Sequence, residues 1–306
     1  MTSLLLAILF VTNERAGTLS VIDNNKVTTT VRVGTRPRGV VLSPDGKRLY
    51  IAVSHFRDKP AKAPDEALAV DTATLKIVKH YAAGTDPEGI ALAPNGKWFV
   101  VSNEDAGTAS MVATQSGKTL AALVTGTEPE GVAVSPDGKW VYVTGETSNT
   151  ITVIDAIAAR VVANIFVDAR PRGVVFTPNG ARAYVTCEVA GSVDVIDVAA
   201  RRVLHRIKLR PVDHPVGVAV TRDGRTVYAA TGRGNAIVTV NIATDRVVQT
   251  IAAGLRPWGI ALSRDEKTLY AANGLSNDVS VIDVAAGRQV ALIKAGDGPW
   301  GICVGR

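Results

Sequence analysis

The sequence predicts an all-β fold, a seven-bladed β-propeller with four antiparallel strands per blade, in one domain spanning residues 1–306. Three observations predict it. A glycine two residues after a repeated Pro, or its equivalent, recurs at Gly39, Gly89, Gly131, Gly173, Gly217, Gly259 and Gly301, with spacings of 50, 42, 42, 44, 42 and 42 residues. A period of about 40–45 residues, made of short Val/Ile/Thr-rich segments, is the length of one four-stranded blade. The chain begins with material for strands b, c and d (Ile8 to Val33) and ends in a lone strand a (Gly301 to Val304). Pairing the two ends closes a ring and leaves no unpaired sheet edge.

One repeat shows the local logic. Gly131 to Val134 is a short apolar run suited to a buried strand a. Ser135-Pro136-Asp137-Gly138 has Pro at the second position of a type I turn, Asp at the third and Gly at the fourth. Lys139 to Thr144 is strand b and Thr150 to Ile154 is strand c. Asp155 ends strand c, where its carboxylate can accept backbone N–H groups of the next turn. Arg160 to Phe166 is strand d. The turn returns as Ser43-Pro44-Asp45-Gly46, Ala93-Pro94-Asn95-Gly96, Thr177-Pro178-Asn179-Gly180, Thr221-Arg222-Asp223-Gly224 and Ser263-Arg264-Asp265-Glu266. The strand-c ending returns as Val21-Ile22-Asp23, Val195-Ile196-Asp197 and Val281-Ile282-Asp283, and is degenerate at Val112-Ala113. Helical solenoids are excluded, because no segment is long enough or periodic at 3.6 residues.

No Ser/Gly linker or charge block interrupts the period, so no internal domain boundary is expected. A net charge of +6 and a pI near 9.4 are a small excess for 306 residues. The two cysteines, Cys187 and Cys303, stand where other repeats carry Gly, Asn or Ala and read as small buried side chains. Met1 to Phe10 is apolar but has no basic n-region or small-residue cleavage site. Leu6 to Val11 reads as a strand rather than a signal remnant, because Ile8 to Glu14 aligns with Trp140 to Glu146.

Val11-Thr12-Asn13, Val143-Thr144, the Val-Ile-Asp endings and Ser-Pro-Asp-Gly together resemble the YVTN class of seven-bladed propellers, over nearly the whole chain. More narrowly, Val11 to Asp23, Arg256 to Ser263 and Ala271 to Asp283 are similar to propellers associated with pyrroloquinoline-quinone (PQQ)-dependent catabolism. That resemblance implies an exported, periplasmic protein linked to quinoprotein oxidation of alcohols or similar substrates, without an assigned reaction. It points to PQQ or another quinone as ligand, and to a quinoprotein dehydrogenase as partner. A cytoplasmic location is the alternative. A monomer with no transmembrane segment is expected.

In such a meander the d–a and b–c loops share one end of the ring. The residues flanking each repeat Pro are Arg36/Arg38, Asp86/Glu88, Glu128/Glu130, Arg170/Arg172, His214/Val216, Arg256/Trp258 and Gly298/Trp300. The b–c loops add Glu14, His55, Glu104, Glu146, Glu188 and Arg233. Singly, each residue reads as a solvated or paired loop side chain. Together they mark a binding surface at the channel mouth, by analogy with other propellers. Arginine can grip carboxylate or phosphate and Trp can stack on a planar group, so a small anionic aromatic ligand or a protein partner is expected there. The enlarged b–c loop Ser54 to Glu66 reads as either a lid or a tolerated insertion.

Catalytic signals are sparse. His55, His80, His205 and His214 lie in different blades without metal-ligand spacing, and no metal site is assigned. No nucleophile elbow, Walker loop or dinucleotide fingerprint occurs. Two further functions stay open beside the non-catalytic binding protein. One is a lactonase-like, isomerase-like or oxidoreductase enzyme using rim Glu and His as acid and base. The other is nucleic-acid binding, motivated by the pI and by the run Arg201, Arg202, His205, Arg206, Lys208, Arg210, a run that also reads as a charged outer strand resisting edge pairing.

Overall fold

A computed structural model describes residues 8–55 and 64–305 as seven four-stranded antiparallel sheets, with no helix among them. Blade 1 is the closing blade, in which Leu9–Asn13 pairs with Thr18–Asp23 on one side and with the C-terminal Pro299–Val304 on the other. Phe10 lies opposite Cys303 and Val11 opposite Ile302, as the complementary ends predict. Blades 2 to 7 begin at Arg36, Pro87, Pro129, Pro171, Pro215 and Pro257. The degenerate third blade is complete, with Thr108–Ala113 as its strand c. Strand d of blade 4 is Arg160–Phe166 and strand a Pro129–Val134, two residues longer at its start than the apolar run suggests. The N-terminal strand is thus described from Leu9. Residues 1–7, and most of the Ser54 to Glu66 loop with its lid reading, lie outside the described residues. No helix of the structure is long and apolar enough to cross a membrane.

The core lies between blades. Each of seven buried clusters joins two neighbouring sheets, such as Phe10, Leu19 and Val21 against Leu49, Ile51 and Leu68. Turn chemistry holds the a–b corners. Ser43 Oγ donates to Asp45 at 2.6 Å, the Lys47 N–H donates to the same carboxylate at 3.0 Å, and Gly46 takes a positive φ of 75°. Asp155 accepts the N–H groups of Ile157 and Ala158, both at 3.0 Å, closing the c–d turn as expected.

The repeat glycine has a steric cause. A Cβ at Gly173 would lie 2.5 Å from the Val216 carbonyl oxygen, and one at Gly259 2.6 Å from that of Trp300. The same contact recurs all round, and Gly301 closes it against the Arg38 carbonyl. Only a residue without a side chain lets neighbouring inner strands approach this closely. In four blades a strand-b hydroxyl ties the approach together. Thr186 Oγ1 accepts the Gly173 N–H at 2.9 Å and donates to the Val216 carbonyl at 2.5 Å, and Thr12, Ser102 and Thr144 do the same.

Two substitutions probe this ring. Thr186→Val is expected to cost about 1–3 kcal/mol, since it strands a buried N–H and a buried carbonyl. Gly173→Ala is expected to cost a similar amount or more through overpacking. Urea titration checks both; unchanged midpoints would show that the inner ring tolerates slack.

Candidate functional site

The inner strands bring the residue after each repeat Pro to the axis at one end of the channel. The b–c loop residue is pinned beside it by the backbone. The Glu104, Glu146 and Glu188 N–H groups donate to the carbonyls of Asp86, Glu128 and Arg170 at 2.8, 3.0 and 2.8 Å. Gly232 and Gly274 make the equivalent bonds to His214 and Arg256 in blades 6 and 7. The mouth therefore divides into two sectors. Where the b–c loop carries Glu, in blades 3 to 5, the axial residue is charged (Glu88, Glu130, Arg172). Where it carries Gly, in blades 6 and 7, the axial residue is apolar (Val216, Trp258), and blade 1 joins the two sectors, its loop Glu14 donating its N–H to the Gly298 carbonyl at 2.7 Å while its axial residue is Trp300. A side chain at Gly274 would collide with the Trp258 indole, so that glycine makes room for it.

The charged sector is a buried network running over five blades. Arg36 Nε is 2.8 Å from Glu14, and its Nη1 is 2.7 Å from Asp86 and 3.0 Å from Glu88. Arg38 pairs with Glu88, lies 3.2 Å from Glu14 and reaches across to Glu130 at 3.8 Å. Arg172 Nη1 is 2.8 Å from Glu130 and pairs with Glu146, while its Nε is 3.5 Å from Glu188. The more exposed Arg170 adds contacts to Glu146 at 2.5 Å and Glu188 at 3.3 Å. Glu88 is wholly buried, and Arg36, Arg38, Asp86, Glu130, Glu146, Arg172 and Glu188 are each at most 9% exposed.

Burial at this density shifts protonation. Burial pushes the Glu104 carboxyl up to about 7, aided by Glu130 and Asp86 and opposed by Arg36 and Arg172. Glu146 is also pushed up to about 7. Burial is the main cause, opposed by Arg172 and Arg170 and reinforced by the carboxyl contact with Glu130. Its two guanidinium partners do not outweigh desolvation. Burial works against the Arg172 charge, but Glu130, Glu146 and Glu188 hold that guanidinium protonated above its ordinary value.

Trp258 and Trp300 stack with ring centroids 6.2 Å apart and planes 23° from parallel. Arginines cap both ends of the pair, Arg38 lying 5.3 Å from the Trp300 ring and Arg172 5.3 Å from the Trp258 ring, with Arg256 at 4.8 Å. Between the sectors opens a cavity of about 130 Å³, bordered by Glu130, Arg172, Val216, Trp258, Trp300 and the repeat glycines Gly131, Gly173, Gly217 and Gly259.

Most of the residues expected at the rim meet here, but two expectations change. The guanidiniums do not form an open anion grip. Arg36, Arg38 and Arg172 are each engaged by at least two carboxylates, because buried charge needs a partner. Several residues stand apart. Glu128 accepts a hydrogen bond from Thr147 Oγ1, Arg233 is exposed, and His214 is partly exposed with no part in the network. His55 is buried, 3.1 Å from Thr35 Oγ1 and 3.7 Å from Glu66. The group with metal-ligand spacing among the described residues is Asp86, Glu88 and Glu104, whose oxygens lie within 4.8 Å of one another. It contains neither histidine, and Arg36 already neutralises two of its members.

The sequence places Val216 at the mouth only as one of the residues flanking the repeat prolines and reads the repeat glycines Gly131, Gly173, Gly217 and Gly259 as structural alone; the change from Glu188 to Gly232 and Gly274 is the signal for the apolar sector. Away from the mouth, the basic run is largely paired. Arg206 and Lys208 contact Asp168, Arg210 contacts Asp213, and His205 contacts Asp245. Cys187 is buried, and burial pushes both thiols up, Cys303 to about 12.

The family described as "Lactonase, 7-bladed beta-propeller" matches residues 160–304, from strand d of blade 4 to the closing strand. No curated protein matches the chain. Among solved structures, a functionally unknown protein from Desulfotomaculum acetoxidans DSM 771 superposes with a TM-score of 0.83 at 15% identity, covering 98% of this chain and 99% of that one. Kuenenia stuttgartiensis hydrazine synthase superposes with a TM-score of 0.57 at 23% identity, covering 83% and 98%. At these identities the likeness is one of fold.

The raised carboxyls make stability depend on pH. Glu104 and Glu146 hold their protons more tightly in the folded chain than in the unfolded one. Their contribution is therefore complete below the ordinary value of 4.5 and lost as pH rises through about 7. The melting temperature is expected to fall between pH 5 and 8, and less so in the Glu104→Gln/Glu146→Gln double variant. Parallel curves for the two proteins would refute the assignment.

Proposed function

We propose that the channel mouth hydrolyses a small cyclic ester by carboxylate acid–base chemistry. The observation that carries this reading is that two carboxyls of pKa about 7 stand immediately behind the polar border of the cavity, Glu130 and Arg172: Glu146 contacts both, and Glu130 helps to raise Glu104. A carboxyl titrating near neutrality serves well as either base or acid at that pH. In its ionised form one takes a proton from water as the water oxygen adds to the ester carbonyl carbon. Arg172 faces the developing oxyanion. When Glu146 is protonated, Arg172 has one fewer carboxylate to neutralise, which leaves positive charge for that oxygen. The tetrahedral carbon then expels the ring oxygen, which takes a proton from the other carboxyl. The match to a lactonase propeller supports the reading. Its span contains Arg172, Trp258 and Trp300 but not Glu104 or Glu146.

A second reading has a specific observation in its favour. The Trp258–Trp300 stack, flanked by Arg38, Arg172 and Arg256, is a surface on which a quinone ring would lie flat, as in a non-catalytic, exported partner of a quinoprotein dehydrogenase. The fused three-ring PQQ is large for a cavity of about 130 Å³, which favours a one-ring quinone within it.

Titrimetric assay of the purified chain against γ- and δ-lactones separates the two readings. Hydrolysis is expected, with kcat falling about 10²–10⁴-fold in Glu146→Gln at an unchanged fold. Inertness toward every lactone, together with tight calorimetric binding of quinones that Arg256→Ala/Trp258→Ala abolishes, would favour the binding protein instead.

A further inference from the structure

We infer that the axial cavity is a subsite for a single six-membered ring and selects uncharged or cationic rings over anionic rings of the same shape. The inference rests on the mouth being the reacting site, and it names the substrate class: a monocyclic lactone without a carboxylate or phosphate substituent.

Size comes first. A dry apolar cavity of about 150 Å³ accepts benzene, so the space of about 130 Å³ between Val216, Trp258 and Trp300 is that of one ring. The walls cannot retreat easily. One side is the backbone of Gly131, Gly173, Gly217 and Gly259, packed against the carbonyls of the neighbouring blades. The other side is the Trp pair, held at its ends by Arg38 and Arg172. A second fused ring would have to displace one or the other, or lie outside the walls at the open side of the cavity without their contacts.

Charge comes second. The polar groups at the cavity border are Glu130 and Arg172, both at least nine-tenths buried. Arg172 already contacts Glu130, Glu146 and Glu188. An incoming carboxylate would have to displace one of these, leaving a buried carboxylate without its partner while repelled by the others. An uncharged ring meets no such cost. A cationic ring gains from Glu130 and from the carboxylates behind it, against the opposing charge of Arg38, Arg172 and Arg256 that already lie over the indoles. The mouth, for all its arginines, is therefore ill suited to a ligand that brings a net negative charge, whereas the oxyanion formed by water addition brings none, because the proton taken from the water stays on a neighbouring carboxyl. Its carboxylates outnumber the guanidiniums among the described residues that form the network.

Three probes of one shape test this: benzamide, benzamidine and benzoate, with 2-naphthamide as the two-ring comparison. Their affinities for the full chain are measured by tryptophan fluorescence and calorimetry at pH 7.5. Benzamide and benzamidine are expected to bind at least about tenfold more tightly than benzoate, a difference of about 1.4 kcal/mol, and naphthamide more weakly than benzamide. Val216→Phe, which fills the cavity, is expected to abolish benzamide binding. Trp258→Leu serves the same purpose if that variant does not fold. Benzoate binding as tightly as benzamide, no binding by any probe, or binding unaffected by both variants would overturn the inference. The two readings fail separately. Ring selectivity without lactone turnover removes the hydrolytic reading and leaves the subsite, whereas turnover with benzoate binding as tightly as benzamide removes the selectivity alone.

Discussion

The structure depends on one close approach, repeated seven times: the backbone of each repeat glycine against a carbonyl oxygen of the next inner strand. Gly39 meets Glu88, and the series runs on until Gly301 meets Arg38. Because the ring must close, inner strands cannot drift apart one at a time. The Thr or Ser of strand b in four blades then satisfies the two backbone groups that this approach buries. The same constraint shapes the mouth, since the residue next to each glycine is delivered to the axis with little freedom to turn away.

What fills those axial positions decides the chemistry. Seven side chains crowd one small space, and a crowd of identical charges would not fold. The chain instead sets two neighbouring glutamates, Glu88 and Glu130, between two arginines, Arg38 and Arg172, across blades 2 to 5 and gives the remaining arc to Val216, Trp258 and Trp300. Arg38 and Arg172 belong to both sectors, ion-paired on one side and lying against an indole on the other. Low local dielectric makes each pair rigid and moves carboxyl protonation toward neutrality. Structural cohesion and reactivity at this mouth thus have the same origin, which is charge held out of water.

Much of the fold was legible because it is written in short-range patterns. Ser-Pro-Asp-Gly specifies a corner through its own hydroxyl, ring and carboxylate, and the terminal Asp of strand c specifies the next through N–H groups two and three residues away. The complementary termini announced closure. The site was legible only as a set of residues. Arg36, Arg38, Glu88, Glu130, Glu146 and Arg172 were identified as neighbours at one end, but as a rim open to anions. Glu14, visible only as one more loop carboxylate, proved to join blade 1 to Arg36 and Arg38.

By itself the sequence determined the number of blades, the order of strands, the turns between them and the two sectors of the mouth, since each follows from a residue and its near neighbours in the chain. Tertiary structure alone decided that the rim charges are buried, which carboxylate each arginine takes, that Glu104 and Glu146 titrate near neutrality, and that the central space has the size of one ring. Those properties depend on distances between side chains of different strands and blades, such as Arg36 and Glu14, 22 residues apart, and Arg36 and Glu88, 52 apart. Only the closed ring, with its radius set by glycine against carbonyl, brings them within reach of one another.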